Sequence, residues 1–149
     1  MKKVILLAAL LTWAPLAAAD PGLNLSSYEG KVVVVDFWAS WCVPCRRSFP
    51  WMNDMHEKYT ADGLVIIAVN LDRSADDAAQ FLAKYPARFK IAYDPTGVLA
   101  KKYGVEVMPS SIIIGRNGEM IERHAGFKVK QQDEYEATIR AALKLEKVE

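Results

Sequence analysis

A chain of 149 residues is the size of one domain and is long enough to bury a hydrophobic core. Apolar residues make up 52% and charged residues 25%, with a net charge of +1. That balance fits an ordinary globular protein and argues against a nucleic-acid partner or attraction to an anionic membrane surface.

The first stretch, "MKKVILLAALLTWAPLAAAD", stands apart from the rest. Lys2 and Lys3 precede an apolar run, and Ala17, Ala18 and Ala19 close it. A basic start, an apolar core and a small-residue cleavage site are the layout of a secretory signal peptide. The apolar run is short for a membrane span and Pro15 interrupts it, although retention as an inner-membrane anchor is the alternative. Residues 1–19 are therefore expected to be a signal peptide and residues 20–149 the folded domain. Loss of two lysines leaves the mature chain slightly negative. Its expected location is the periplasm, where disulfides persist.

"KVVVVDFWAS" is a run of β-branched and apolar residues and predicts a strand buried on both faces. From about Pro44 to Thr60, Phe49, Met52, Met55 and Tyr59 recur at three- and four-residue steps, the period of a helix. "GLVIIAVNL" predicts a second buried strand. "SADDAAQFLAKYPARF" predicts a helix with Ser74 as N-cap and acids in its first turn, ended by Pro86. "KIAYDP" is a short strand, and "TGVLAKKYG" one or two helical turns closed by Gly104. "SSIIIGRNGEMIERHAG" reads as two strands joined at Asn117-Gly118, a hairpin signal. "QQDEYEATIRAALKLEKV" is an amphipathic helix. The order predicts an α/β domain with a mostly parallel sheet and an antiparallel edge. The right-handed crossover rule sets the second strand beside the first, with helices on both faces.

The chain holds two cysteines, Cys42 and Cys45, in "WASWCVPCRRSFP". Cys42 falls between a buried strand and a helix start, where unpaired backbone N–H groups and the helix dipole favour a thiolate. Cys45 is one turn on and within disulfide reach, and Pro44 suits the first turn of a helix. This is the arrangement of an attacking thiol with a second thiol behind it. Three other readings compete. A structural bridge across two residues constrains little. A zinc site needs about four ligands, and His56 and His124 are not at finger spacing. A copper(I) site could use Cys42, Cys45 and Met108.

"VVDFWASWCVPCR", followed by "GVEVMPSS" and a hairpin, resembles the thioredoxin superfamily. The segment "NLDRSADDAAQFLAKYPARFKIAYDPTGVLAKKYGV" is similar to the helix-plus-strand insertion of its TlpA/ResA-like branch of secreted thiol–disulfide oxidoreductases. The resemblance covers about residues 30–127. It implies a thioredoxin fold, a central mixed five-stranded sheet flanked by helices. It implies that Cys42 is the nucleophile, Cys45 the resolving thiol and Asp36 a buried acid that exchanges the proton of Cys45, its pKa raised by desolvation. It implies a cis Pro109, with Met108 pairing its backbone to substrate, and Trp41, Val43 and Pro44 on the substrate-binding surface. Pro50 is expected to kink the first helix. Trp38 and Phe37 are expected in the core, and His56 and His124 at the surface or a strand end.

The chain departs from the pattern at several points. Val43 stands where thioredoxins carry glycine, Ala68 where they carry a lysine near the buried acid, and Phe49 where many branch members carry an acid. The segment before Gly30 is short, so the N-terminal hairpin of the branch is expected to be missing or truncated. Arg46 and Arg47 either help hold a thiolate or are solvated. The function implied is a monomeric periplasmic thiol–disulfide oxidoreductase that reduces protein disulfides. It would use no metal and no cofactor beyond the Cys42–Cys45 disulfide, and draw electrons from a membrane thiol donor. An oxidant or isomerase of exported proteins, or a copper(I)-handling module, is the alternative.

Overall fold

The computed structural model describes residues 23–144. The expected signal peptide lies outside them. Seven consecutive residues form β1 (Val32–Trp38), and all seven are buried. A strand buried on both faces must be covered on both, and the chain supplies two layers. The order after β1 is α1 (Cys45–Tyr59), β2 (Leu64–Asn70), α2 (Ala75–Lys84), β3 (Lys90–Tyr93), α3 (Val98–Lys102), β4 (Ser110–Ile114), β5 (Met120–Ala125) and α4 (Gln132–Lys144). The sheet order is β3-β2-β1-β4-β5. β2 lies parallel to β1 and β3 to β2, whereas β4 runs antiparallel to β1 and β5 antiparallel to β4. This is the mixed five-stranded thioredoxin sheet, with α2 and β3 as the inserted pair.

Alternation along β1 divides the core. Val32, Val34 and Trp38 pack with Phe49, Met52 and Met55 of α1, Phe81 of α2 and Ile139 of α4. Val33, Val35 and Phe37 pack with Leu99 of α3 and with Leu25 and Tyr28 of a 3₁₀ turn, Leu25–Tyr28. Trp38 meets Phe49 edge to face and Phe81 at a tilt, at 4.8 and 4.7 Å between ring centroids. Burying each such side chain contributes about 1.5–3 kcal/mol. Trp38 and Phe37 are thus core residues, as expected.

Two helix starts add detail to the pattern reading. α1 starts at Cys45, and Cys42 sits in the turn ahead of it, because Pro44 is the N-cap in helical backbone geometry. Ser74 caps α2 by position, in extended backbone, but its side chain makes no cap hydrogen bond; Asp76 and Asp77 supply the first-turn charge. Among the described residues, no helix is long and apolar enough to cross a membrane.

Candidate active site

The carboxyl ends of β1 and β2 leave the sheet together, and the connection after β1 carries both cysteines. Asp72, just beyond β2, fixes that connection. Its carboxylate accepts the Ser40 N–H at 2.8 Å, the Ser40 hydroxyl at 2.9 Å and the Asn70 side-chain amide at 2.7 Å. The Cys42 N–H donates to the Ala39 carbonyl, which closes the turn. Neither Asp72 nor Ser40 stood out in the sequence.

Cys42 and Cys45 form a disulfide with Cα atoms 5.3 Å apart. Cys42 Sγ also accepts the Cys45 N–H at 3.3 Å, the place a capping side chain would take. A sulfur so placed meets an unpaired N–H and the positive end of α1, and both favour its thiolate once the disulfide opens. Cys45 is wholly buried, and Cys42 nearly so. Cys42 lines a groove of about 550 Å³ with Trp41, Val43, Pro44 and Met108; Cys45 does not. Leu71, Val105, Glu106 and Val107 complete the groove; none of the four was singled out as a binding residue, although the last three belong to the "GVEVMPSS" stretch. Trp41 is 67% exposed and Val43 56%, an apolar rim open to solvent. The Met108–Pro109 bond is cis. Pro109 itself is buried, and its carbonyl accepts the Gly126 N–H at 2.7 Å.

Asp36 lies on the β1 face that Val34 and Trp38 share with the two cysteines. It is 1% exposed. Burial pushes its carboxyl up from 3.8 to about 7, against a smaller opposing effect of the Ser111 hydroxyl, which donates to Oδ1 at 2.6 Å. Oδ2 is buried without a hydrogen-bond partner. Ala68 is its neighbour on β2 and Ser111 its neighbour on β4. A carboxyl that titrates near neutrality can both take and return a proton. Ser111, like Asp72 and Ser40, did not stand out in the sequence. Its signal was a strand register that places it opposite Asp36.

Arg46 and Arg47 are exposed. His124, expected at the surface or a strand end, does sit near the end of β5, but its ring turns inward against Tyr135. No group of three or more His, Cys, Asp or Glu among the described residues is placed to hold a metal ion.

A family model described as Redoxin matches residues 14–139. The chain belongs to the Redoxin family. Within it, the sheet, the insertion and the relatives make this chain a TlpA/ResA-like member of the thioredoxin superfamily. The thiol-disulfide oxidoreductase ResA of Bacillus thuringiensis subsp. konkukian is 35% identical over 114 residues, 76% of this chain and 66% of that protein. The chain thus spans just under two thirds of that relative. The crystal structure of a candidate thiol:disulfide interchange protein DsbE from Chlorobium tepidum is 51% identical and covers 80% of this chain and 84% of its own, with a TM-score of 0.78. The exposed lipoprotein thioredoxin of Streptococcus pneumoniae strain TIGR4 is 29% identical and covers 78% of this chain and 89% of its own, with a TM-score of 0.68.

Proposed function

We propose that this Redoxin-family chain is an exported thiol–disulfide oxidoreductase that reduces disulfides of exported proteins. One observation carries the reading: Cys42 opens on an apolar groove, while Cys45 is sealed on the face that holds the buried acid Asp36. The relatives named for thiol–disulfide chemistry support the activity, and the reducing direction rests on the resemblance of the motif and insertion to the TlpA/ResA-like branch. The layout of residues 1–19 supports export.

Substrate lies in the groove, its backbone beside Met108 and its apolar side chains against Trp41, Val43 and Pro44. The Cys42 thiolate attacks one substrate sulfur. The substrate S–S bond breaks, a mixed disulfide forms, and the departing sulfur takes a proton from water. Cys45 then gives its proton to the Asp36 carboxylate and attacks Cys42 Sγ. The second substrate thiol leaves and the Cys42–Cys45 bond reforms. Substrate gains two electrons and the pair loses two, so a membrane dithiol donor restores the reduced state. The groove is complete within one chain, which suits a monomer.

The Cys45→Ser variant tests this. It should accumulate a mixed disulfide through Cys42 with exported thiol proteins, and Cys42→Ser should capture none. Capture through neither variant defeats the activity. A redox potential against glutathione at the strongly oxidising end defeats the reducing direction.

A further inference from the structure

Asp36 is the inner end of a row of side chains. Asp36, Ser111 and His124 are successive partners across β1, β4 and β5, so all three lie on one face of the sheet. Beyond Ser111 is a cavity of about 20 Å³, lined by Ser111, His124, Trp51 and Tyr135 among others. His124 Nε2 is buried there without a hydrogen-bond partner. Its Nδ1 lies 3.8 Å from Glu122 Oε1, and the Glu122 side chain is 46% exposed. The Tyr135 hydroxyl is already engaged by Gln131 and by the Lys128 N–H, so it leaves Nε2 alone. A cavity of that size accepts one water, which needs at least two polar partners. Ser111 and His124 both line the cavity, and they offer two such groups, the Ser111 hydroxyl and the unpartnered Nε2.

We propose that Ser111, one water and His124 relay the proton of Cys45 from Asp36 to the β5 edge, where it leaves for solvent beside Glu122. The relay rests on the thiol–disulfide reading above but not on its direction, since the same path runs inward during oxidation. The Ser111 hydroxyl serves both states of Asp36. With Asp36 ionised it donates to Oδ1. With the proton on Oδ1, the carboxyl donates to Ser111 Oγ and the hydroxyl hydrogen turns to the water. In one concerted shift Asp36 passes its proton to Ser111 Oγ, the Ser111 hydroxyl hydrogen passes to the water, and the water passes one of its own to Nε2; the imidazolium then gives up its Nδ1 proton toward Glu122 and bulk solvent. One proton enters the row and one leaves, and no electrons move along it. The titratable groups facing His124 are Glu122 on its own strand, Tyr135 from α4 and, behind Ser111, Asp36 from β1; α1 presents Trp51, which does not titrate. Asp36 is sealed from solvent, so its proton needs such a route. His124 touches neither thiol and acts through Asp36, so it is a positioning residue.

Stopped-flow kinetics on the full chain separate the steps. Attack by Cys42 is timed in a Cys45→Ser background, and release of the mixed disulfide in the intact pair. His124→Phe keeps a ring against Tyr135 and removes both nitrogens; Ser111→Ala cuts the row at its middle. Each should slow release about 10-fold between about pH 6 and 8, short of the ~10²–10⁴-fold of a direct acid–base group. Attack by Cys42 should not change, and the double variant should be no slower than either single one. Equal slowing of both steps, multiplicative effects in the double variant, or unchanged release in folded variants overturns the relay. If His124→Phe does not fold, His124→Gln replaces it, since an amide holds a hydrogen bond but does not carry the proton on. Absence of exchange in the unaltered protein defeats the thiol–disulfide reading instead.

Discussion

The Asp36 carboxyl works against the fold that holds it. Its pKa is raised from 3.8 to about 7 by burial, so the ionised form is the disfavoured one in the native state. The consequence for stability has a definite sign. Below 3.8 the group is protonated whether the chain is folded or not, and it carries no penalty. As pH rises toward about 7 the unfolded chain ionises first, and stability falls; above that the loss is constant, at roughly 4 kcal/mol. Asp36→Asn keeps an oxygen for the Ser111 hydroxyl and removes the charge. It should raise urea-unfolding stability by up to about that amount at pH 8 and leave it nearly unchanged at pH 3.5. The same variant should slow release of the mixed disulfide by about 10²-fold at neutral pH, because the group proposed as the base of Cys45 is gone. Stability and activity thus move in opposite directions at one atom, as they do where a strained group serves a site. A stability gain of equal size at both pH values would show that packing, not charge, is responsible.

The turn between β1 and α1 is only as well placed as its attachment to β2. Asp72 provides that attachment through three hydrogen bonds, and it is buried. Asp72→Ala leaves the Ser40 N–H and hydroxyl and the Asn70 amide without their acceptor. It should destabilise by about 2–4 kcal/mol in urea unfolding and lower the exchange rate, since the Cys42 turn loses its anchor. Unchanged exchange in the folded variant would mean that the helix end alone places Cys42. The strands and helices were legible because burial imposes a period: seven buried residues in β1, and Phe49, Met52 and Met55 on one face of α1. The two cysteines, Asp36 and Pro109 were legible because the motif around them is specific. Asp72 was not, since an acid after a strand looks like any loop residue until its three donors are known. Ser111 and His124 were not either, because their meaning lies in register. Shifting β4 by one residue would turn Ser111 to the other face and break the row from Asp36 to the edge.

The sheet has two ends with different duties, and its chemistry sits at one of them. At the carboxyl end of β1 lie the disulfide, the groove and the turn held by Asp72. At the opposite end the chain enters β1, leaves α1 for β2, and finishes α4, and a single side chain gathers all three. Arg116, in the β4–β5 connection, donates from Nη1 to the Gly30 carbonyl at 2.8 Å and from Nη2 to the carbonyls of Asp62 and Leu143 at 2.9 and 3.0 Å. Gly63 makes room for it: its φ is +98°, and a Cβ there would come within 3.0 Å of Arg116 Nη1. The planar guanidinium reaches the three carbonyls from two nitrogens held in a fixed fork, a spread that the single nitrogen of an ammonium does not offer. Arg116→Ala should therefore cost about 2–4 kcal/mol of stability, and Arg116→Lys should recover only part of it. Because the lost bonds lie at the end away from Cys42, the rates of attack and release in the folded variant should stay within about twofold of the parent. Urea unfolding and stopped-flow exchange on the same preparation measure both. A stability loss with unchanged exchange means that the site end stands without this clamp, whereas a matching loss of exchange would mean that strain at Arg116 travels the length of β1 to the cysteines.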